Sequence, residues 1–281
     1  MSQGAKPEVE SGAARKVSTA WTFETTRAEG RAALIGYLPA GFPDVPGALE
    51  ALKAMVDSGC DVIEVGLPYS DPVMDGPTIQ AAAQQALEAG TRTADVLRVV
   101  EAVAATGTPT LVMTYWNPVE RYGVDAFARD LASAGGAGLI TPDLVPDEAD
   151  GWVSAADEHG LDKVFLVAPS STSDRLAMTT GACRGFVYAA AVMGVTGARE
   201  RSSDLAGPLV ARVRNTTELP VGVGIGVSDG DQAAEVARFA DGVIVGSAFV
   251  RRLLDAGSDR ATGLASLAEL TRDLADGVRR A

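Results

Sequence analysis

The chain has 281 residues, 47% of them hydrophobic, and a formal net charge of −13, a length that suits a single α/β barrel. So acidic a chain, with no basic cluster, is a poor partner for nucleic acid or an anionic membrane surface, and no apolar stretch approaches the roughly 18 residues of a membrane span. Cys60 and Cys183 are too few for a disulfide framework or a zinc site, so we expect two thiols that pack as small apolar residues.

The first segment of the chain, residues 1–20, is rich in Ser, Gly, Ala and charged residues and lacks the apolar stretch of a signal peptide. We therefore expect a flexible N-terminal tail and a cytoplasmic protein. Residues 21–281 contain no linker, charge block or shift in composition. This uniformity favours one catalytic domain.

Strand-like and helix-like segments alternate from residue 30 onward. Apolar runs bounded by turn residues predict eight strands, at residues 32–38, 62–65, 110–114, 138–141, 164–167, 186–190, 221–224 and 242–245. Amphipathic stretches predict helices at residues 45–57, 79–88, 94–105, 124–133, 148–158, 173–179, 205–214, 232–240, 248–254 and 264–279. Alternation implies parallel strands with right-handed crossovers. The predicted fold is therefore α/β, a single (β/α)8 TIM barrel with extra short helices, and the site is expected where the strands end.

The second predicted strand carries the most informative residue. Glu64 interrupts an apolar run, and a loop braced by prolines and glycines follows with Asp71 and Asp75. Burying a carboxylate costs free energy, so its position inside a strand indicates a structural or a catalytic role. Glu64 could instead pair with a buried arginine or cap a loop amide, but the acidic loop favours an acid/base site. The two aspartates would supply too few ligands for Mg²⁺, so we predict no metal site.

Aromatic and glycine residues follow other strands. Tyr37 and Tyr188 stand at the ends of strands one and six, where they could either line a ligand slot or belong to the core. Glycine-bearing turns follow strands six, seven and eight, at residues 193–197, 222–226 and 246–247. Glycines and helix N-termini accommodate anions, and barrels of this kind often bind phosphate there. We therefore predict a phosphate site. The glycine spacing in 222–226 departs from a dinucleotide fingerprint.

Several enzyme classes are excluded by what the strand ends lack. His159 is the only histidine and stands at a predicted helix end, where capping is its expected role. A Ser-His-Asp or Cys-His hydrolase is therefore excluded. Lys163 stands at the start of strand five, and no lysine ends a predicted strand, which argues against Schiff-base chemistry.

Residues 64–80, EVGLPYSDPVMDGPTIQ, strongly resemble the signature of the tryptophan synthase alpha subunit family. The resemblance covers about residues 30–281 and includes the strand ends at 115–118, 142–143, 188, 194–197, 224–226 and 246–247. It implies a lyase that cleaves indole-3-glycerol phosphate to indole and glyceraldehyde 3-phosphate by a retro-aldol reaction in tryptophan biosynthesis. Residues 191–193, Ala-Val-Met, differ from the Ser-Arg-Ala of some relatives.

The resemblance also implies a role for each site residue. Glu64 would shuttle a proton, and Asp75 would accept a hydrogen bond from the indole N–H. Substrate contacts would come from Tyr37, Tyr188 and Thr196, and phosphate contacts from Gly197, Gly226, Gly246 and Ser247. The chain itself would need no cofactor. Indole would pass to a beta subunit that carries pyridoxal phosphate, in an alpha2beta2 tetramer, and the loops after strands two and six would contact that partner.

Three alternatives remain open at this stage. Another phosphate-binding barrel, such as an isomerase or synthase of tryptophan or histidine biosynthesis, usually needs a lysine or a second acid on other strands, and neither can be placed. A non-catalytic activator of the beta subunit is argued against by the intact Glu64 and Asp75. A lyase that works alone and releases free indole is equally compatible with the sequence.

Overall fold

The computed structural model describes residues 18–191 and 199–281, with the backbone alone for 199–204. Within these residues, eight parallel strands close into a barrel in chain order, and β8 pairs with β1. The strands are β1 (Ala33–Pro39), β2 (Val62–Gly66), β3 (Thr110–Met113), β4 (Gly138–Thr141), β5 (Asp162–Val167), β6 (Val187–Ala190), β7 (Val221–Gly224) and β8 (Gly242–Val245). The predicted (β/α)8 barrel is confirmed.

Helices surround the barrel and connect successive strands. They are α1 (Thr19–Ala28), α2 (Val45–Asp57), α3 (Pro77–Glu88), α4 (Thr93–Ala104), α5 (Trp116–Tyr122), α6 (Val124–Ser133), α7 (Asp150–His159), α8 (Ser173–Ala182), α9 (Arg199–Arg214), α10 (Gly230–Ala237), α11 (Ser247–Ala256) and α12 (Arg260–Arg279). A short 3-10 turn, Pro146–Glu148, precedes α7. His159 is the last residue of α7, and Gly160 follows it in the left-handed conformation with φ 63°.

Two of these helices were not predicted. Helix α1 begins at Thr19, inside the last two residues of the expected tail, and residues 1–17 lie outside the described part of the chain. Three of the four buried residues in α1 are threonines, so the apolar periodicity that marks a helix is weak. Helix α5 has Pro118 in its first turn, where proline is tolerated because that N–H needs no partner within the helix.

Two apolar layers hold the barrel together. One lies between the strands and the surrounding helices, and the other fills the barrel interior with Phe23, Ala33, Ile35, Val62, Leu111, Ala137, Ile140, Val164, Phe186 and Ile244. Phe23 of α1 packs against Phe186 of β6, with ring centroids 5.4 Å apart. Side chains alternate along a strand, so Val62, Glu64 and Gly66 all face inward. The interior layer therefore supports Glu64 from below.

Other sequence features also find their places. Cys60 is buried and Cys183 half-buried, and both are free thiols. Lys163 is the second residue of β5 and pairs with Asp157 at 2.6 Å, at the end of the barrel opposite the site. No helix in the described part of the chain is long and apolar enough to cross a membrane.

Candidate active site

Glu64 is fully buried in the middle of β2. Neither carboxyl oxygen has a hydrogen-bond partner among the described residues, so the pairing with a buried arginine or a loop amide is absent there. Removal from water disfavours a charge, and this burial raises the pKa of Glu64 to about 8. At neutral pH the group is therefore mostly a carboxylic acid that can give up a proton.

Asp75 lies in the loop between β2 and α3 and is half-buried. Burial raises its pKa from the usual range, and a hydrogen bond with Tyr115 opposes that shift. The loop is braced at this point, since the Gln80 amide donates a 2.7 Å hydrogen bond to the backbone carbonyl of Asp75. Asp71, the other acid of the loop, is exposed and accepts a 2.6 Å hydrogen bond from the Ser70 hydroxyl. Only one of the two loop aspartates therefore faces the site.

Tyr115 belongs to the sequence motif at residues 115–118, which by itself gave this residue no role in the site. It follows β3, and its hydroxyl accepts a 2.9 Å hydrogen bond from the backbone N–H of Met74. Its ring packs on Tyr69 with centroids 5.3 Å apart, and the Asn117 amide donates to the Tyr69 hydroxyl at 3.0 Å. The loop after β2 is thus held by residues that follow β3. The position of Tyr115 at the end of a predicted strand was the signal available in the sequence.

Tyr37 and Tyr188 lie across the barrel mouth, over glycines of neighbouring strands. A Cβ on Gly224 would lie 2.6 Å from the Tyr188 hydroxyl, and a Cβ on Gly66 would lie 2.7 Å from ring atoms of Tyr37. Both positions must therefore be glycine for the rings to lie flat in the mouth. Burial raises the pKa of both tyrosines well above 10.

The two tyrosines and the two acids form one cluster. The negative charges of Glu64 and Asp75 both contribute to the raised pKa of Tyr37 and of Tyr188. In the β1–β2 register, Tyr37 is the direct partner of Glu64. The structure therefore brings together four of the residues that the sequence placed at the site.

The glycine turns after β7 and β8 lie side by side because those strands pair with each other. Gly226 has φ 81°, a conformation that favours glycine. Gly246 precedes α11, Ser247 is its first residue, and no side chain in the described chain caps this helix. Its first N–H groups are thus available to an anion. Thr196 and Gly197 lie outside the described residues.

Among the described residues, no group of three or more His, Cys, Asp or Glu side chains is placed to hold a metal ion. The buried acid Glu64 can transfer a proton to or from a bound substrate, next to the half-buried carboxylate of Asp75 and the anion-accepting N-terminus of α11.

Comparison with known proteins agrees with this geometry. The family model described as "Tryptophan synthase alpha chain" matches residues 23–279. The tryptophan synthase alpha chain of Acidothermus cellulolyticus is 64% identical over 254 residues, which cover 90% of this chain and 94% of that protein. The alpha chain of Salinispora arenicola is 65% identical over 257 residues, covering 92% and 96%.

A solved structure shows the same similarity in three dimensions. Tryptophan synthase from M. tuberculosis, in its open form with BRD0059 bound, superposes with a TM-score of 0.86 at 56% identity, covering 94% of this chain and 99% of that one. The resemblance that the sequence motifs indicated is thereby confirmed. The chain belongs to the tryptophan synthase alpha chain family, the lyases that cleave indole-3-glycerol phosphate in tryptophan biosynthesis.

Proposed function

We propose that Glu64 and Asp75 are the two catalytic residues of this lyase, and that the cleavage is a retro-aldol reaction. The observation that carries the assignment is the state of Glu64, which is fully buried, has no partner among the described residues and has a pKa of about 8. Such a group starts the cycle as an acid and can end it as one. A general acid or base works best when its pKa lies near the working pH.

In the first step the Glu64 carboxylic acid gives its proton to carbon C3 of the indole ring. The ring then carries a positive charge, with its N–H as the most acidic group. The Asp75 carboxylate accepts a hydrogen bond from this N–H and stabilises the charge as it develops. This role requires Asp75 to be ionised, and hydrogen bonding from Tyr115 favours that form by opposing the rise in its pKa.

In the second step Glu64, now a carboxylate, takes the proton of the glycerol hydroxyl beside the bond to C3. The O–H electrons form the aldehyde carbonyl, the carbon–carbon bond breaks, and its electron pair returns to the ring. Neutral indole and glyceraldehyde 3-phosphate result, and Glu64 is again an acid. No electron is gained or lost, and Glu64 gives one proton and takes one back, so we propose that the chain needs no cofactor.

The remaining site residues would bind the substrate. Tyr37 and Tyr188 offer flat rings at the mouth, next to both acids. We assign the substrate contacts to these two tyrosines and Thr196, and the phosphate contacts to Gly197, Gly226, Gly246 and Ser247. The uncapped N-terminus of α11 supports the second assignment. Local groups must hold the anion because a net charge of −13 repels it.

The loop that carries Asp75 also offers a surface for a partner. Val73 is 82% exposed and Met74 56% exposed, although both are apolar. We propose that they contact a beta subunit in an alpha2beta2 tetramer, and that this partner holds pyridoxal phosphate and receives indole directly. Indole is apolar, so direct transfer would prevent its loss across membranes. The contact would link partner binding to the position of Asp75.

The domain and its location complete the proposal. We propose that residues 21–281 form the catalytic domain and residues 1–20 a tail. Helix α1 moves this boundary by two residues, because it begins at Thr19. A cytoplasmic location is supported by the two free thiols, Cys60 and Cys183.

Indole release from indole-3-glycerol phosphate tests the assignment. Wild type, Glu64→Gln and the surface control Glu88→Gln would be assayed with and without a tryptophan synthase beta subunit. Glu88 lies at the end of α3 and accepts a 2.8 Å hydrogen bond from Gln84. We expect loss of activity in Glu64→Gln alone and a steep rise when the partner is added. Activity in Glu64→Gln close to wild type would overturn the assignment, and full activity without a partner would favour the free-standing lyase.

A further inference from the structure

The hydroxyl of Tyr37 lies over the inward face of β2. The Tyr37 ring spans the mouth from β8 to β2, with its Cδ1 atom 3.2 Å from where a Cβ on Gly246 would lie and its Cζ atom 2.7 Å from where a Cβ on Gly66 would lie. The hydroxyl oxygen is the atom nearest to that position above Gly66. The phenol therefore points at β2 and not into the core below.

Glu64 can reach this hydroxyl. Glu64 and Gly66 are both on the inward face of β2, two residues apart, which corresponds to about 7 Å along a strand. An extended glutamate side chain together with one O–H···O hydrogen bond of about 2.7 Å spans that distance. The side chain would have to point toward the mouth, which is also where substrate enters. In the β1–β2 register the Cα atoms of Tyr37 and Glu64 are partners, so the two side chains start from the same level of the barrel.

The Tyr37 hydroxyl has the chemistry of a hydrogen-bond donor. Burial, followed by the charges of Asp75 and Glu64, raises its pKa well above 10, so it stays protonated at neutral pH. Both Glu64 oxygens are without a hydrogen-bond partner among the described residues, so either could accept this proton. The other titratable groups that act on Tyr37 are Tyr115 and Tyr188, both neutral at this pH.

We propose that the Tyr37 hydroxyl donates a hydrogen bond to Glu64 while Glu64 is a carboxylate, and so positions it for the second proton transfer. The inference rests on the proposed role of Glu64 as the proton shuttle. Tyr37 is then a positioning residue that acts through Glu64, in addition to the substrate contact of its ring. Tyr188, the other tyrosine beside Glu64, places its hydroxyl against Gly224 of β7, whereas the Tyr37 hydroxyl lies over β2, the strand that carries Glu64.

Removal of the Tyr37 hydroxyl oxygen should have a distinct effect on kcat, KM and the pH profile. Tyr37→Phe keeps the ring that contacts the substrate, so KM should stay within about threefold of wild type, whereas kcat should fall by about tenfold or more, the range of a hydrogen bond to a charged group. A donor favours the ionised form of a carboxyl group. Its loss therefore raises the pKa of Glu64, and the fall of activity at high pH should move to higher pH.

The experiment is a set of pH profiles of kcat and KM for indole release. Tyr37→Phe would be compared with wild type, with Glu64→Gln and with Tyr122→Phe, a surface control that removes a 2.7 Å hydrogen bond to Asp130. We expect Glu64→Gln to be inactive and Tyr122→Phe to match wild type, and only Tyr37→Phe to combine a lower kcat with a displaced alkaline limb. A wild-type kcat, an unmoved alkaline limb or a change confined to KM would overturn the inference. Should Glu64→Gln remain active, the proposed proton shuttle itself would fail, which is a separate outcome.

Discussion

The hydroxyl of Tyr115 accepts a 2.9 Å hydrogen bond from the backbone N–H of Met74, so a residue that follows β3 holds the loop that follows β2. The same hydroxyl is hydrogen-bonded to Asp75 and lowers its pKa, against the effect of burial. One side chain thereby sets both the position and the charge of the proposed catalytic carboxylate. Positioning of this kind is a large part of what an enzyme contributes to a reaction.

Tyr115→Phe tests this relationship. The substitution leaves the ring against Tyr69 but removes the partner of the Met74 N–H and the hydrogen bond to Asp75. We expect kcat to fall by about tenfold, as for loss of one hydrogen bond to a charged group, and the acidic limb of the pH profile to move to higher pH because the pKa of Asp75 rises. An acidic limb identical to that of wild type would contradict the assignment.

The wild-type pH profile should have two limbs. Activity requires Asp75 as a carboxylate, whose pKa burial raises from its usual range, and Glu64 as an acid, whose pKa is about 8. Activity should therefore rise with pH as Asp75 loses its proton and fall near pH 8 as Glu64 does. The dependence of kcat/KM on pH measures the pKa that governs each limb. A plateau that extends well beyond pH 8 would show that Glu64 does not begin the cycle as an acid.

Burial of Glu64 should also make folding stability depend on pH. Its folded pKa of about 8 lies above its value of about 4.3 in an unfolded chain. The contribution of Glu64 to stability is therefore fully present below the unfolded pKa and is lost as pH rises toward the folded pKa.

The comparison of wild type with Glu64→Gln isolates this effect. The other titratable groups affect both proteins equally, so their contributions cancel in the difference. The free energy of unfolding of Glu64→Gln minus that of wild type should therefore increase by about 2 kcal/mol between roughly pH 6 and pH 8. Urea unfolding at these two pH values measures the free energy of unfolding of each protein. A difference that stays constant across the interval would mean that Glu64 ionises as freely in the folded protein as in the unfolded one.

The phosphate assignment can be tested at Ser247, the first residue of α11. Ser247→Asp places a negative charge at the helix N-terminus, where it stabilises the helix but repels a phosphate group. We expect KM to rise by about tenfold or more, with the melting temperature unchanged or higher, because a charge close to the substrate phosphate opposes its binding. Ser247→Ala is the matched control, with a smaller rise in KM. Equal KM values for the two variants would place the phosphate elsewhere.

The strands and the catalytic acids could be predicted because their signals are local. A buried strand of a parallel barrel is an apolar run bounded by turn residues, and each of the eight observed strands starts and ends within about two residues of a predicted one. Glu64 was evident because a single carboxylate interrupts such a run. Helices α1 and α5 were missed because threonines replace apolar residues in α1 and α5 is only seven residues long, with a proline in its first turn.

The sequence by itself determined the alternation of strands and helices, the family, and the position of Glu64 and Asp75 along the chain, since these depend on composition and spacing. Only the tertiary structure decided that Asp75 faces the site while Asp71 faces solvent, that Tyr115 holds the Asp75 loop, and that Tyr37 lies opposite Glu64. These relations join residues far apart in the chain. They arise from barrel closure and strand register, which bring the ends of separate strands to one mouth and set the burial that shifts each pKa.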